Sequence, residues 1–326
     1  MIDVTAPLRL SLAGGGSDLP EHYERHGCRL LAVALTAHGA LRLAEAPEGV
    51  TVRAFGTETR AEHASSHPDP LVRAALGYFG IDRGVHLTVE SDVAPGSGLG
   101  GSGAFLVALA TALSHLTGDP LTPAAAARAA FRIERALCGR PVGQQDHWTA
   151  ASGAAIELRI APDGTADARP DPELYEALGP LLDHRLLPCA PPHTFRPTPL
   201  AAQARALRGK RDMTHIQSLV DDVRKALVAA DIARVGALLH EHWTAKRAVS
   251  DAMSTPEIDR WYAMVRDHGA YGAKLVGAGG GGHLLVATEA ADADRLTTAM
   301  AAEGLTRVVV GTHPLGVTAH REEGRA

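Results

Sequence analysis

The stretch Ala94-Pro95-Gly96-Ser97-Gly98-Leu99-Gly100-Gly101-Ser102-Gly103-Ala104 carries the strongest fold signal in the chain. Residues 85–90 precede it and alternate between apolar and polar side chains, which predicts a strand. Residues 102–116 follow it and are aliphatic over about four helical turns. The sequence therefore predicts a strand, a glycine loop and a helix, in that order.

This loop satisfies the GxGxxG pattern of dinucleotide-binding folds at Gly96, Gly98 and Gly101. That fold needs a second parallel strand with an acidic residue after the helix, whereas Gly118-Asp119-Pro120 leads directly into another helix pattern. The dinucleotide interpretation therefore fails on context. A tight turn alone is a further alternative, but five glycines within eight residues exceed what a turn needs.

A phosphate-binding loop explains the pattern better. Small residues let the backbone approach an anion, and the free N–H groups and positive dipole end of the following helix stabilise negative charge. Ser102 lies in the first helical turn, where its hydroxyl can ligate Mg²⁺ or bond to a phosphate oxygen. No Walker A lysine follows the loop, so the positive charge has to come from elsewhere.

Composition excludes several other classes of protein. The chain has 326 residues, 45% of them hydrophobic and only 4% aromatic, and a formal charge of -5 with scattered Lys and Arg, which disfavours nucleic-acid binding. Three cysteines without a CxxC pair suggest neither a disulfide framework nor a thiolate zinc site. His22 and His26 are four residues apart but lack the HExxH order of a zinc site. No signal peptide or long apolar stretch is recognisable, so we expect a cytoplasmic protein without membrane partners.

The order of elements predicts an α/β chain in two parts. Short strand patterns interrupted by glycine dominate the first half, and helical patterns dominate from about residue 174, including 213–230, 231–247 and 256–267. Residues 274–310 predict a strand, a glycine run, a strand, a helix and a strand. We place an N-terminal domain at 1–185, a C-terminal domain at 186–317 and a flexible tail at 318–326, with the proline-rich segment 188–199 as a connection or active-site loop.

Two acids are candidates for chemistry. Glu134 lies within the apolar face of a helix pattern that runs from 124 to about 138, either as a surface residue or as an oxygen ligand for Mg²⁺. Asp146 follows a glycine turn in Gly143-Gln144-Gln145-Asp146, either as a turn or helix-capping residue or as a catalytic carboxylate. Phosphoryl transfer needs a divalent ion and a carboxylate near the acceptor hydroxyl, which this pair can supply.

Thirteen of the 34 glycines fall in three runs, and with their neighbours these runs resemble the three motifs of the GHMP kinases. Residues 6–18 (APLRLSLAGGGSD) are similar to the first motif, 95–104 to the second and 274–282 (KLVGAGGGG) to the third. The GGGSD form, Ile133-Glu134-Arg135 and the later pair Gln145-Asp146 are most similar to the sugar 1-kinases that act on D-glycero-D-manno-heptose 7-phosphate, a pattern shared with fucose-type kinases.

The resemblance implies a two-domain α/β fold, with a mixed-sheet N-terminal domain, a helix-rich C-terminal domain with a ferredoxin-like sheet, and the active site between them. It implies ATP and Mg²⁺ as cofactors, with Ser102 and Glu134 as metal ligands. Asp146 would face the acceptor hydroxyl, and Arg9 would supply the missing positive charge. The implied ATP-phosphate loop comprises Pro95, Gly96, Ser97, Gly98, Leu99, Gly100, Gly101, Ser102 and Gly103. The implied sugar-binding residues are Gly15, Gly16, Ser17, Asp18, Asp146, Gly279, Gly280 and Gly281.

The chain departs from the family pattern in two places. The usual second motif reads GLGSSA, whereas this chain has Gly100-Gly101-Ser102-Gly103, which loosens the helix start by roughly 1 kcal/mol per added glycine. His283 stands where related kinases usually have an aromatic or aliphatic residue, and capping of a strand is the simplest interpretation of it.

A phosphorylated acceptor would need a basic pocket. The candidates are Arg196 and a rival pair, Lys246 and Arg247, which shares a helix face with Trp243; solvated basic faces are the alternative for both. Their presence favours a sugar phosphate, so we expect phosphorylation of heptose 7-phosphate at the anomeric hydroxyl. A GHMP kinase for a free sugar such as fucose or galactose, or a non-catalytic sugar sensor, remains the alternative, and the oligomeric state is open.

Overall fold

The computed structural model describes residues 1–192, 198–209 and 211–322. The larger sheet is mixed, because β3 and β5 pair in parallel while the other pairs are antiparallel. Its strand order is β12-β1-β2-β5-β3-β4, with β6 on β2 and β7 on β6. Its strands are β1 (Ile2–Ala13), β2 (Cys28–Glu45), β3 (Val50–Ala54), β4 (Thr57–Ala61), β5 (Val85–Ser91), β6 (Ala155–Ile160), β7 (Ala166–Pro170) and β12 (Thr318–Arg321).

The smaller sheet has four strands in the order β11-β8-β10-β9, all antiparallel. These strands are β8 (Leu186–Ala190), β9 (Gly272–Leu275), β10 (Leu284–Ala287) and β11 (Thr306–Arg307). Two sheets in a mixed α/β chain agree with the expected fold class. The division at residue 185 into two domains stays a prediction.

Helices cover both sheets, and several of them begin at a capping side chain or a proline. Thr122 and Asp231, for example, accept hydrogen bonds from the first-turn N–H groups of Ala125 and Arg234. The α-helices are α1 (Pro20–His26), α2 (Pro70–Tyr78), α3 (Gly101–Leu116), α4 (Pro123–Arg132), α5 (Gln145–Ser152), α6 (Pro172–His184), α7 (Thr198–Arg208), α8 (Thr214–Ser218), α9 (Val220–Val228), α10 (Ile232–Val249), α11 (Pro256–Asp267) and α12 (Ala293–Ala302). No helix within the described ranges is long and apolar enough to cross a membrane.

The core is mainly aliphatic, as the low aromatic content predicts. Leu10, Leu30 and Leu106 are fully buried where α3 packs on β1 and β2. A second cluster lies against the smaller sheet and includes Trp243 and Trp261. The burial of α3 along almost its whole length fixes the position of its N-terminus, where the glycine loop ends.

Two local predictions are wrong, and a third element ends in a different type of helix from the one expected. Residues 318–321 are not a flexible tail, because they pair with β1 from Ile2 to Thr5 and so cover an edge that would otherwise be open. The helix expected over 213–230 is interrupted by a turn at Leu219 between α8 and α9. The helix expected from 124 to about 138 gives way to a π-helical turn, Ile133–Leu137, in which the Cys138 N–H bonds to the Ile133 carbonyl. Residues 193–197, 210 and 323–326 lie outside the described residues.

Candidate active site

The second and third glycine runs pack directly against each other. A Cβ on Gly98 would lie 2.6 Å from the Val276 carbonyl oxygen, and one on Gly277 would lie 2.8 Å from the Gly98 carbonyl oxygen. Both glycines have positive φ, at +79° and +89°, so each position excludes a side chain by conformation and by space. These two positions therefore require glycine because two main-chain segments approach each other closely there.

His283 strengthens this junction. Its N–H donates to the Ser97 carbonyl at 3.1 Å, its Nδ1 lies 2.6 Å from the same oxygen, and the ring is buried. Burial lowers the pKa of His283, so the ring is neutral and Nδ1 carries the proton that bonds to Ser97. The interpretation of His283 as a simple strand cap misses its contact with the loop in the other half of the chain.

Arg9 and Asp146 form the centre of the cleft. The Arg9 Nε lies 2.7 Å and its Nη2 2.6 Å from Oδ1 of Asp146. Arg9 also donates to the Gly98 carbonyl, and its backbone N–H donates to the Leu99 carbonyl at 2.9 Å. The guanidinium thus connects the central glycine loop to the acid at the start of α5.

Asp18 lies in the same cleft and is almost fully buried. Its carboxylate accepts hydrogen bonds from the N–H groups of Gln145, at 2.9 Å, and Gly16, at 3.1 Å. Burial and the neighbouring Asp146 charge raise the pKa of Asp18, against the lowering effect of those bonds. A Cβ on Gly143 would lie 2.0 Å from Asp18 Oδ2, which explains the glycine three residues before Asp146.

Ser102 and Glu134, predicted as metal ligands, lie together. The Ser102 hydroxyl donates to Oε1 of Glu134 at 2.6 Å, and Arg140 Nη1 lies 2.9 Å from the same oxygen. His147 Nε2 lies 2.9 Å from Oε2. Burial raises the pKa of Glu134, but the hydrogen bonds from His147 and Ser102 and the Arg140 charge outweigh it, so the pKa is lowered. Glu134 is held as a carboxylate although it is only 1% exposed.

A hydroxyl and an ionised carboxylate side by side fit Mg²⁺, which prefers oxygen ligands and keeps several waters or phosphate oxygens. Within the part of the chain that the structure describes, no group of three or more His, Cys, Asp or Glu side chains forms an all-protein metal cage. A two-ligand site completed by nucleotide phosphates matches this sparse donor set.

A cavity of about 340 Å³ opens beside the phosphate loop. Pro95, Gly96, Gly101 and Ser102 line one side of it, as the predicted loop requires. Its other walls are largely apolar and come from β2, β3, β5 and α3, including Leu41, Val52, Val89 and Phe105. An apolar slot next to a phosphate-binding loop suits a nucleotide base. Ser97 and Leu99, by contrast, hold the loop in place through main-chain bonds.

The predicted sugar-binding residues separate into two groups. Gly15, Gly16, Asp18 and Asp146 line the cleft, with Ser17 buried behind them, bonded to the Gly14 carbonyl. Gly279 and Gly280 instead pack against Met253, to which the Gly280 N–H donates at 2.7 Å. Gly277 and Ala278 line the cleft in their place. Gly279, Gly280 and Gly281 were predicted to bind the sugar, but they do not line the cleft.

The candidates for binding an acceptor phosphate also separate. Lys246 is buried in the cleft and donates to the Gly277 carbonyl. Arg247 points away from the cleft and bonds to Asp259 at 2.8 Å, so it is not an acceptor-binding residue in this arrangement. Arg196 lies outside the described residues.

Sequence reasoning missed several cleft residues. His147 follows Asp146 directly in the sequence, and its partnership with Glu134 depends on a contact that spacing alone does not reveal. Lys274 is buried and donates to the Leu12 carbonyl at 2.8 Å, which connects the smaller sheet to the end of β1. Gln145 and Gln203 face the cleft from α5 and α7. Gln145 and His147 flank Asp146 in the sequence and Lys274 begins the third glycine motif, whereas no sequence pattern marked Gln203.

Comparisons with known proteins match this chain to one family of kinases. The model for the GHMP kinases N terminal domain matches residues 70–154, and that for the GHMP kinases C terminal matches residues 223–305, together just over half of the chain. A D-glycero-alpha-D-manno-heptose 7-phosphate kinase from Campylobacter jejuni is 24% identical over 299 residues, which cover 87% of this chain and 88% of that relative.

Solved structures share the fold across nearly the whole chain. A D-glycero-D-manno-heptose 1-phosphate kinase from Bacteroides thetaiotaomicron aligns with a TM-score of 0.79 at 19% identity, covering 99% of this chain and 100% of that one. A Lactococcus lactis galactokinase complexed with galactose aligns at 0.73 and 14% identity, covering 97% and 95%. With both family models matched in order, the chain belongs to the GHMP kinase family of ATP-dependent kinases.

Proposed function

We propose that this kinase transfers the γ-phosphate of ATP to the anomeric hydroxyl of a sugar phosphate, D-glycero-D-manno-heptose 7-phosphate, and so forms the 1,7-bisphosphate. The observation that carries the proposal is the Arg9–Asp146 pair, which places a carboxylate between the phosphate loop and the glycine run that holds Asp18. The heptose phosphate kinase similarity and the buried Lys246 support a phosphorylated acceptor.

In the proposed reaction, the anomeric oxygen attacks the γ-phosphorus in line while the bond from the γ-phosphorus to the bridging oxygen breaks and ADP leaves. Asp146 orients the hydroxyl and receives its proton. Arg9 fixes the orientation of Asp146 and contributes positive charge beside the loop. Asp18 accepts hydrogen bonds from sugar hydroxyls, and the N-terminus of α3 stabilises phosphate charge.

Ser102 and Glu134 are the residues that would hold Mg²⁺, which neutralises charge on the phosphates when bound. Glu134 is prepared for this role by His147 and Arg140, which keep it ionised and oriented. The chain's own contribution is thus to position the carboxylate, the hydroxyl and the helix N-terminus before substrates arrive.

A kinase for a free sugar is the second candidate. It is favoured by the small number of cations among the described cleft residues, Arg9 and Lys246, because Arg9 is already engaged with Asp146. In that case Lys246 connects α10 to the third glycine run through the Gly277 carbonyl and does not bind an acceptor phosphate.

The test is an ADP-release screen of the full chain with Mg²⁺ and ATP across free sugars and sugar phosphates. The proposal predicts the highest kcat/KM with a heptose 7-phosphate. Exclusive turnover of an unphosphorylated sugar would establish the second candidate, and release without any acceptor would identify background hydrolysis. The Asp146→Asn variant serves as the matched control for a contaminating kinase.

A further inference from the structure

Gln203 is a buried amide carried by α7. The side chain is 1% exposed, and its Nε2 has no partner among the described residues. A buried amide N–H normally finds an acceptor, because leaving water without one is costly. An unpaired donor at this position therefore needs a reason.

The position of the amide supplies that reason. Gln203 lines the same cleft as Asp18, Asp146 and Lys246. Its Nε2 lies against the first glycine run, 2.5 Å from where a Cβ on Gly16 would be. Glycine at 16 thus leaves room for the amide to reach the cleft wall where the sugar is proposed to bind.

The helix that carries Gln203 is fastened in place. Leu207 of α7 packs with Leu19, Met213 and Ile216 in a buried cluster. Arg25 of α1 donates to the Leu207 carbonyl at 2.7 Å. The amide is therefore presented by a packed helix rather than by a free surface side chain.

A second unpaired amide faces the same space. The Nε2 of Gln145 also lacks a partner among the described residues, and its side chain is 5% exposed. Gln145 belongs to the segment matched by the N-terminal family model, whereas Gln203 lies between the two matched segments. Ser102, Glu134 and Asp146 lie in the same matched segment as Gln145, so a cleft residue outside both segments is suited to distinguish acceptors.

We propose that Gln203 is an acceptor-recognition residue whose Nε2 donates a hydrogen bond to an oxygen of the acceptor, either a sugar hydroxyl or an acceptor phosphate oxygen. This inference rests on the proposed function, since it presumes an acceptor in this cleft. Binding replaces the missing partner of the amide, so an acceptor that lacks the matching oxygen is rejected.

The test measures KM and kcat for the acceptor selected by the ADP-release screen. Gln203→Met keeps the volume and apolar stem but removes the donor, and Gln203→Ala removes the side chain. Both are expected to raise the acceptor KM about 10- to 100-fold while leaving the KM for MgATP within about threefold. Gln217→Met, on α8 and not among the cleft-lining residues, is the control and should leave both KM values unchanged.

Gln203→Glu identifies the oxygen. A carboxylate accepts a hydrogen bond from a hydroxyl, so a hydroxyl contact predicts an acceptor KM within a few-fold of wild type. A phosphate contact predicts a KM at least as high as in Gln203→Ala, because the charges repel. An unchanged acceptor KM in folded Gln203→Met would overturn the inference while leaving the proposed function intact. A wild-type chain that releases no ADP with any acceptor would refute both.

Discussion

Arg9 and Asp146 contact each other across 137 residues of sequence, with Arg9 Nε 2.7 Å from the Asp146 Oδ1. This contact joins β1 to the start of α5. The same guanidinium also bonds to the Gly98 carbonyl, so the pair lies next to the central glycine loop. The pair defines where the acceptor hydroxyl has to lie if Asp146 is to receive its proton.

Replacement of Asp146 by Asn is expected to lower kcat by about 10²- to 10⁴-fold, the usual range for loss of a positioned base. The amide keeps the shape of the side chain but cannot take the proton. Steady-state kinetics with a calorimetric check of MgATP binding measures this, and MgATP affinity should change little. Near-normal kcat in a folded variant would mean that positioning alone suffices.

The sequence could single out the central glycine loop, Ser102, Glu134 and Asp146, because each lies in a local pattern of small residues or acids; their roles stay predictions. The structure brings Ser102 and Glu134 to hydrogen-bond distance, as their predicted shared role requires. His147 and Gln203 were not predictable, because their significance lies in a missing or distant partner that only packing reveals. The sequence could not separate Lys246 from Arg247, because the two residues share a helix face. In the structure Lys246 bonds to the Gly277 carbonyl in the cleft, whereas Arg247 bonds to Asp259 outside it.

Gly103 replaces the alanine that the family motif usually has, and the fold explains why. A Cβ at this position would lie 2.5 Å from the Asp146 Cβ. Helix propensity predicts that Gly103→Ala stabilises α3 by about 1 kcal/mol, whereas the contact predicts a loss of stability and displacement of Asp146. We expect a lower free energy of unfolding in urea.

Gly101→Ala is the matched control for that experiment. A Cβ there meets no atom of the described residues within 4 Å, and Gly101 begins the same helix. Its free energy of unfolding should stay equal or rise by up to about 1 kcal/mol. Equal stabilisation by both substitutions would show that Asp146 does not restrict residue 103.

Glu134→Gln tests the metal site. The substitution removes the charge but keeps the shape, so the Mg²⁺ concentration for half-maximal activity is expected to rise by about 10- to 100-fold. Mn²⁺ binding in the presence of ATP, followed by electron paramagnetic resonance, provides a second readout that does not depend on turnover. Unaltered metal affinity by both methods would remove Glu134 from the ligand set.

If Lys246 binds an acceptor phosphate, acceptor binding is expected to depend on pH. Burial, with a contribution from Arg9, lowers its pKa to about 8, although Asp18 and Asp146 act in the opposite direction. The side chain is therefore charged below about pH 8 and loses its charge above it. If the ammonium binds an acceptor phosphate, the acceptor KM should rise by up to about tenfold per pH unit above pH 8.

The matched variant for the pH experiment is Lys246→Met, which keeps the apolar stem without the charge. Its acceptor KM should be high and independent of pH between 7 and about 9.5. If the acceptor KM of the wild-type chain does not change with pH over the same range, the role of Lys246 is instead the structural hydrogen bond to the Gly277 carbonyl.

The position of the new phosphate tests the central claim most directly. We would incubate the full chain with Mg²⁺, ATP and heptose 7-phosphate and record a ¹H–³¹P correlation spectrum of the purified product. The account predicts a new phosphorus signal that correlates with the anomeric proton, beside the signal of the 7-phosphate. A product whose new phosphate correlates with any other proton, or no product from this acceptor while a free sugar is phosphorylated, would contradict it.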